Sequence, residues 1–217
     1  MLRFLYFITK FVYLYDIYTK SMTTATSNKK YHALMKAGKE LYWKYGLKRV
    51  SVEDICQEAQ VSKMTFYRFF PNKIDLAKAV FDQMVEESMR KFNGIMKNDS
   101  PVSEKIKDMI ILKLEGTNDI SKEFLMDIYK TPGTGLKEHI ERASAQSWHE
   151  VVRYFKLAQR KGIFRKDFNP EALLFITKQI SVLVTDENLL KMYGSPHELI
   201  RELTYFFVYG LIEPKSL

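Results

Sequence analysis

The stretch SVEDICQEAQVSKMTFYRFFPNK, residues 51–73, decides how this chain folds. Ser51 and Asp54 have the spacing of an Asp variant of the capping box, in which two side chains satisfy free backbone N–H groups where a helix begins. The pattern predicts a short helix over SVEDICQEAQ. Its inward positions would be Val52, Ile55, Cys56 and Ala59.

A second short helix is predicted after a break of only two residues, Gln60 and Val61. Ser62 can cap this helix, which would run through Phe69. Two short helices joined by a tight turn form a helix-turn-helix. The second helix of that motif enters the major groove of DNA, with its N-terminal residues nearest the base edges.

The side chains of this second helix divide between two faces. Phe66, with Phe69 or Phe70, would face the core. The opposite face would present cationic, polar and flexible side chains, namely Lys63, Met64, Thr65, Tyr67 and Arg68. The rings would therefore hold the helix against the protein while the cations and the tyrosine face a groove lined by phosphates.

Helices are also predicted on both sides of the motif. From Lys29 onward, apolar residues recur at three- and four-residue steps up to Gly46, at Ala33, Leu34, Ala37, Leu41 and Tyr45. Downstream, Asn72 with Asp75 can cap a long helix whose apolar stripe would be Leu76, Val80, Met84 and Phe92.

Together these residues resemble the DNA-binding segment of the tetracycline-repressor (TetR) family. The resemblance runs from Lys29 to about Phe92. It depends on the Ser51 cap, the Val61–Ser62 step, the Thr65–Phe66–Tyr67 run and the lysine before Ile74. Gln60 and Met64 depart from the pattern because glycine is frequent there, and Phe69 departs because His or Tyr is common.

The resemblance implies a role for each matching residue. Phosphates would be held by Ser51, Ser62, Thr65, Arg68 and Lys73. Bases would lie near Lys63, Met64 and Tyr67. It further implies a dimeric, ligand-responsive regulator, more often a repressor than an activator, with double-stranded DNA and an unidentified small molecule as partners and no cofactor.

The distribution of charge fits a polyanionic partner for the N-terminal part. The 217 residues carry a formal charge of +8. Residues 23–97 hold 14 Lys and Arg against 8 Asp and Glu, whereas residues 98–217 hold 17 of each. A basic region joined to a neutral one is typical of a protein in which one part binds nucleic acid. A solvated basic surface is the alternative.

Beyond Asn98 the sequence remains helical in pattern. Candidate helices cover 103–114, 121–129 and 136–161, and two more begin near Asn169 and Ser195. The fold class is therefore predicted as all-α, with a three-helix helix-turn-helix DNA-binding domain and its connecting helix over 23–97. A helical effector-binding and dimerisation domain would occupy 98–217.

The last two helices are apolar over more than one stripe, so each needs cover on a second side. Pairing between two copies of the chain would provide it, as in the resembled family; other helices of the same chain are the alternative. If the resemblance extends to an effector pocket, its candidate lining residues are Trp148, Tyr154, Phe155, Phe175 and Gln179.

Other functional classes find little support. The sequence has no nucleophile elbow, phosphate-binding glycine loop or zinc-protease motif, so an enzyme would need an unrecognised site. The single cysteine, Cys56, excludes an internal disulfide and favours a reducing cytoplasm. The four histidines lack a neighbouring ligand at metal-binding spacing, which predicts no metal site.

Residues 1–22 form an apolar extension interrupted by Arg3, Lys10 and Asp16. These charges argue against a membrane span, which needs about 20 nearly uncharged residues. We expect Met22 to be the native start. A helix packed on the body, or a membrane-associated scaffold, are the alternatives.

Overall fold

The structure is a computed structural model that describes residues 29–130 and 133–211. Within these ranges the chain forms ten helices and no strand, which confirms the all-α prediction. The helices are α1 (Lys29–Tyr45), α2 (Val52–Glu58), α3 (Lys63–Phe69), α4 (Lys73–Lys97), α5 (Val102–Glu115), α6 (Lys122–Lys130), α7 (Leu136–Arg160), α8 (Ala172–Leu183), α9 (Glu187–Leu190) and α10 (Pro196–Tyr209).

The predicted caps set the ends of the short helices. Ser51 accepts a hydrogen bond from the Asp54 backbone N–H at 3.1 Å, and the Asp54 carboxylate accepts one from the Ser51 N–H at 2.8 Å. Ser62 accepts from the N–H of Thr65 in the same way. Asn72 accepts from two backbone N–H groups at the start of α4. Side chains therefore accept hydrogen bonds from backbone N–H groups that have no partner within each helix.

The apolar face of α1 differs from the predicted one. Leu34 and Ala37 are buried as expected, but Tyr45 is 42% exposed. Tyr42 and Trp43 are buried instead, and the Tyr42 hydroxyl donates to the Lys73 carbonyl at 2.8 Å. The sequence pattern selected Tyr45 instead of Tyr42 because the aromatic run offers several apolar positions at helical spacing.

Two main clusters of buried side chains stabilise the molecule. The first joins α1, α2, α3 and the start of α4 to α6 and the start of α7. The second lies at the far end, where α4, α5, α7 and α10 meet around Phe92, Phe155 and Phe164. A smaller cluster links α6 to α8 and α10. The first cluster crosses residue 98, so the predicted domain boundary at that residue stays a prediction.

Helix α6 is attached to the end of α1. The rings of Trp43 and Phe124 lie 4.3 Å apart, and the Ser121 N–H donates to the Trp43 carbonyl at 2.8 Å. The Lys48 N–H donates to the Asp127 carboxylate, also at 2.8 Å. The helix-turn-helix is therefore packed against the helices that follow α4 rather than separated from them.

The corner between α4 and α5 is held by a lysine. Lys105 is only 4% exposed, and its ammonium donates to the carbonyl of Ile95, the carbonyl of Asn98 and the Asn98 side chain at 2.5–2.7 Å. These acceptors include C-terminal carbonyls of α4, which have no partner within the helix. The lysine therefore acts as an added cap for α4.

Later boundaries also follow local signals. Ser195 caps α10, near the predicted start of that helix, by accepting from the Glu198 N–H, with Pro196 in the first turn. Gly162 takes a left-handed conformation (φ +72°) after α7. Residues 1–28 lie outside the described ranges, so the predictions for the apolar extension are not tested. Among residues 29–130 and 133–211, no helix is long and apolar enough to cross a membrane.

Candidate nucleic-acid interface

Helix α3 is fixed by its aromatic side chains and presents its other face to solvent. Phe66 is fully buried, and the buried Phe70 stacks on Tyr31 with ring centroids 5.4 Å apart. Met64 is 83% exposed and Tyr67 is 55% exposed. The two-faced helix predicted from the sequence is therefore present, with Phe70 rather than the half-buried Phe69 as the second inward ring.

The charged groups on this face already have partners within the protein. The ammonium of Lys63 forms an ion pair with the carboxylate of Glu53 on α2. Hydrogen bonding across this pair lowers the pKa of Glu53 and raises the pKa of Lys63. The Arg68 guanidinium lies over the Phe69 ring, 5.1 Å from its centroid. A polyanion bound here would compete with Glu53 for Lys63.

The hydroxyl groups predicted to hold phosphates are hydrogen-bonded to their own helix ends. Ser51 donates to the Asp54 carboxylate at 2.7 Å. Ser62 and Thr65 share a hydrogen bond of 3.1 Å between their hydroxyls. Ser62 and Thr65 belong to the N-terminal turn of α3, where free N–H groups favour an anion. Ser51 starts α2, and its hydroxyl serves the capping box.

Lys73, which is predicted to hold a phosphate, contacts carbonyl groups of the protein's own backbone. Its ammonium donates to the carbonyls of Leu47 and Val50, both at 2.7 Å, and lies 3.3 Å from the carbonyl of Lys48. An ammonium has three donors, and all three point into the loop between α1 and α2. In this geometry Lys73 positions the loop, and its predicted phosphate contact stays a prediction.

The tight turn between α2 and α3 contains a non-glycine residue in the left-handed region. Gln60 has a φ of +53°. Glycine adopts this conformation without steric cost, whereas other residues pay roughly 1–2 kcal/mol. The departure at Gln60 seen in the sequence therefore leaves the turn intact but strained.

The five predicted effector-binding residues are not brought together. Tyr154 and Phe155 are packed in the second core cluster, at 9% and 1% exposure, with Phe155 against Phe164. Phe175 is 71% exposed and Gln179 is also on the surface. Only Trp148 is half-buried, with its ring 6.4 Å from that of Phe207. As a group they do not form a pocket.

An apolar surface runs along the last long helices. On α8 it includes Phe175, Ile176 and Val182, and on α10 it includes Tyr205, Phe206 and Tyr209. Phe206 is 72% exposed and Val182 is 60% exposed. So much exposed apolar surface is unusual for a monomer and marks a binding surface. No other helix within residues 29–130 and 133–211 covers these side chains.

Three features of the site were not found from the sequence. These are the Glu53–Lys63 ion pair, the Lys73 contacts and the attachment of α6 through Asp127. Each joins residues on different elements, ten or more positions apart, and none has a local signal. Only the excess of positive charge over residues 23–97 indicated that cationic side chains would contribute to this site.

Comparison with known proteins agrees with this geometry. Residues 34–80, which span most of α1 and all of α2 and α3, match the family described as "Bacterial regulatory proteins, tetR family". Two relatives from Bacillus subtilis (strain 168) are described as uncharacterized HTH-type transcriptional regulators. YvdT is 27% identical over 57% of this chain and 70% of its own length; YhgD is 21% identical over 69% and 78%.

Solved structures share the fold over most of the chain. The fatty acid degradation regulator FadR from Bacillus halodurans superposes with a TM-score of 0.63 at 18% identity, covering 84% of this chain and 96% of its own. Regulatory protein TetR from Rhodobacter sphaeroides gives a TM-score of 0.63 at 18% identity, covering 85% and 100%. Escherichia coli NemR in its reduced form gives 0.63 at 12%, covering 86% and 98%.

Proposed function

We propose that this chain is a ligand-responsive, DNA-binding regulator of transcription of the tetR family and that it acts as a repressor; the match of residues 34–80 to the family model and the fold shared with regulators of known structure support this. It would bind a palindromic operator as a homodimer in the cytoplasm. The family consists of regulators rather than enzymes, and a catalytic reaction is not part of the proposal.

The exposed face of α3 carries the DNA-binding proposal. A short helix held by Phe66 presents Met64 and Tyr67 to solvent beside the cations of Lys63 and Arg68. An isolated exposed methionine is unremarkable, but a rigid helix of this size with apolar, aromatic and cationic groups on one face fits the major groove. We assign base contacts to Lys63, Met64 and Tyr67. Phosphate contacts are assigned to Ser62, Thr65 and Arg68.

The apolar surface of α8 and α10 supports the dimer. Side chains such as Phe206 and Phe175 would be covered by the same surface of a second copy, giving a four-helix interface. Two recognition helices would then reach half-sites about one turn of DNA apart. The division into a DNA-binding domain over 23–97 and an effector-binding and dimerisation domain over 98–217 belongs to this proposal.

Selection of genomic DNA fragments by the purified protein tests the function. We expect enrichment of a palindrome, with an affinity that falls steeply as salt rises, because cationic contacts to phosphates release counterions. Absence of a preferred duplex would overturn the regulator. Binding by a species that light scattering shows to be monomeric would overturn the dimer alone.

Two substitutions separate the assigned roles. Tyr67→Ala is expected to change which base is preferred, because base contacts specify sequence. Arg68→Ala is expected to weaken binding to all duplexes alike and to reduce the salt dependence by about one counterion. The opposite pattern would reverse the assignment. Phe206→Glu should leave the helical content unchanged and abolish the dimer.

A further inference from the structure

The loop between α1 and α2, residues 46–51, is held from two sides by charged side chains of later helices. The Leu47 carbonyl accepts a hydrogen bond from the Lys73 ammonium on α4 at 2.7 Å. The Lys48 N–H donates to the Asp127 carboxylate on α6 at 2.8 Å. Because this C=O and this N–H belong to the same peptide group, a single peptide connects a cation on one helix to an anion on another.

The two charges are placed as the dipole of that peptide group requires. In a trans peptide the C=O and the N–H point in opposite directions, so the cation lies at the oxygen end and the anion at the hydrogen end. Hydrogen bonds to charged groups are stronger than neutral ones, and hydrogen bonds in series polarise one another. The Asp127 side chain is only 11% exposed, so water screens its charge little. Lys73 and Asp127 therefore form a bridged ion pair across the loop.

The backbone of the loop, rather than the Lys48 side chain, makes the main contact with Asp127. The Lys48 ammonium lies 3.8 Å from the Asp127 carboxylate, and its side chain is 65% exposed. An exposed pair at this distance contributes little to folding. A substitution at residue 48 would therefore leave the bridged ion pair in place, whereas a substitution at residue 127 would remove it.

The close approach of α6 to this loop depends on a glycine. Gly46 is buried and has a φ of +81°, a conformation that glycine adopts without steric cost. A Cβ atom at this position would lie 2.7 Å from an oxygen of the Asp127 carboxylate and 3.2 Å from the Glu123 carbonyl carbon. Any side chain here would therefore push α6 away from the loop.

Helix α6 contacts both ends of the segment that leads into the helix-turn-helix. The Ser121 N–H, directly before α6, donates to the Trp43 carbonyl in the last turn of α1 at 2.8 Å. Further along α6, Asp127 holds the loop, which ends at Ser51, the cap of α2. Helix α3 follows α2 after a short turn. The orientation of both helices of the motif relative to α6 is therefore held at two points.

We propose that Asp127 is a positioning residue for DNA binding. Through the bridged ion pair with Lys73 it fixes the helix-turn-helix on the helical body and thereby limits the half-site spacing that the dimer accepts. A dimer binds both half-sites only when the separation of its two α3 helices matches the turn of DNA. A motif that turned on the body would accept several spacings, and a fixed motif accepts one. This role rests on the proposed function, because it requires a dimer that reads a palindrome.

Duplexes with altered half-site spacing test this role. The palindrome selected by the wild-type protein is rebuilt with one or two base pairs added or removed at its centre, and the full chain is titrated with each duplex. Each added base pair turns one half-site by about 34° around the DNA axis, so wild type should lose about tenfold or more in affinity. Asp127→Ala should reduce this loss to about threefold or less, because a motif released from α6 can follow the displaced half-site. Its affinity for a single half-site should match that of wild type.

Two further variants separate the contact of Asp127 from a general loss of charge. Glu123→Gln is the control, because it removes an exposed carboxylate from the same helix, and it should keep the wild-type spacing profile. Asp127→Asn retains an oxygen that can accept from the Lys48 N–H but carries no charge, so its profile should be intermediate. If Asp127→Ala does not fold, Asp127→Asn supplies the comparison.

A double-mutant cycle tests whether the two charges act together. Thermal unfolding is measured for Lys73→Met, Asp127→Asn and the combination of both. The combined fall in melting temperature should be smaller than the sum of the two single falls, because either change alone breaks the series of hydrogen bonds. Additive falls would mean that the charges act independently and would overturn the bridged ion pair.

A measurement without DNA keeps this result apart from the proposed function. Spin labels attached at Met64→Cys, on the exposed face of α3, report the distance between the two α3 helices of a dimer by pulsed electron paramagnetic resonance. Cys56 is buried and should remain unlabelled. We expect a narrow distance distribution in the wild-type background and a broader one with Asp127→Ala.

An unchanged distance distribution, an unchanged spacing profile or a wild-type protein that accepts every spacing would overturn the positioning role. Weaker binding of a single half-site by Asp127→Ala would also overturn it, since Asp127 would then support the recognition surface itself. A monomeric protein would overturn it together with the proposed dimer. Wild-type protein that prefers no duplex, with a distribution that still broadens in Asp127→Ala, would contradict the regulator and leave Asp127 as the residue that fixes the motif on the body.

Discussion

The helix-turn-helix end and the last long helices differ in how far the chain satisfies its own side chains. At the first, Lys73 has every donor occupied by carbonyls of the loop between α1 and α2. On α8 and α10, Val182 is 60% exposed and Phe206 is 72% exposed. One region is complete within the chain, and the other presents apolar side chains to solvent. The comparison indicates that the loop beside the helix-turn-helix is preformed, while the surface of α8 and α10 is suited to a partner.

The helix-turn-helix and the helical body are nevertheless joined in one core. Trp43 and Phe124 contact each other across the predicted domain boundary, and Phe124 is 2% exposed. A change of shape in the body would therefore reach the end of α1 through α6. The two regions can influence each other only if this contact transmits stability from one to the other.

Phe124→Ala is the substitution expected to have the largest effect. Removing a buried phenyl group leaves a cavity and costs about 3–5 kcal/mol, so the melting temperature should fall by more than about 6 °C. The loss should include the helix-turn-helix, although Phe124 lies in α6. Hydrogen exchange of the α1 amides, measured together with thermal unfolding, checks this.

The control is Leu157→Ala on α7, where the side chain is 44% exposed and little should change. Unaltered protection of α1 in Phe124→Ala, or two separate unfolding transitions, would show that the regions are independent. In that case a signal from the body would need another route to DNA.

Lys73→Met should be the next most damaging change. The carbonyls of Leu47 and Val50 would lose a charged donor, which costs about 1.5–3 kcal/mol. We expect a melting temperature lower by about 3–12 °C and a salt dependence of DNA binding that is unchanged. Unfolding curves and binding titrations at several salt concentrations measure the two quantities.

Lys97→Met is the matched control, because Lys97 is exposed in the last turn of the same helix. Unchanged stability of Lys73→Met, with a salt slope reduced by about one, would restore the phosphate contact predicted from the sequence.

The contacts around the helix-turn-helix show how far the sequence could predict the site. The caps at Ser51, Ser62 and Asn72 were predictable because both partners lie within three residues. The contacts of Lys73 were not, because they depend on carbonyls 23–26 residues away.

The same distinction applies to rings. Phe66 was correctly placed in the core because its helix is short and its faces are unambiguous. Tyr45 was exchanged for Tyr42 because the run LYWKY offers an apolar residue to almost any helical face. Packing partners on other helices decide which of these residues is buried, and the periodicity of the sequence alone does not carry that information.

Gln60→Gly is expected to stabilise the protein slightly. The left-handed conformation at φ +53° costs a side-chain residue roughly 1–2 kcal/mol, part of which returns as greater freedom of glycine in the unfolded chain. A net gain of up to about 1 kcal/mol, or about 2–4 °C, should appear in thermal unfolding. Gln60→Val should be less stable than wild type. A loss of stability in the glycine variant would mean that the Gln60 side chain makes a necessary contact.

Glu53→Gln should have the smallest effect. It tests whether the ion pair between Glu53 and Lys63 opposes DNA binding by the predicted DNA-binding surface. The Glu53 carboxylate is exposed and pairs with Lys63, so it both neutralises a predicted base-contacting cation and repels phosphates. Exposed ion pairs contribute little to folding, so thermal unfolding at pH 7 should be unchanged. Operator affinity should rise by about twofold to fivefold, because Lys63 no longer has to leave a partner before it contacts DNA. Glu58→Gln, on the same helix and without an ion pair among the described residues, should raise affinity less. An unchanged or weaker affinity for Glu53→Gln would indicate instead that Glu53 holds Lys63 in the position that DNA requires.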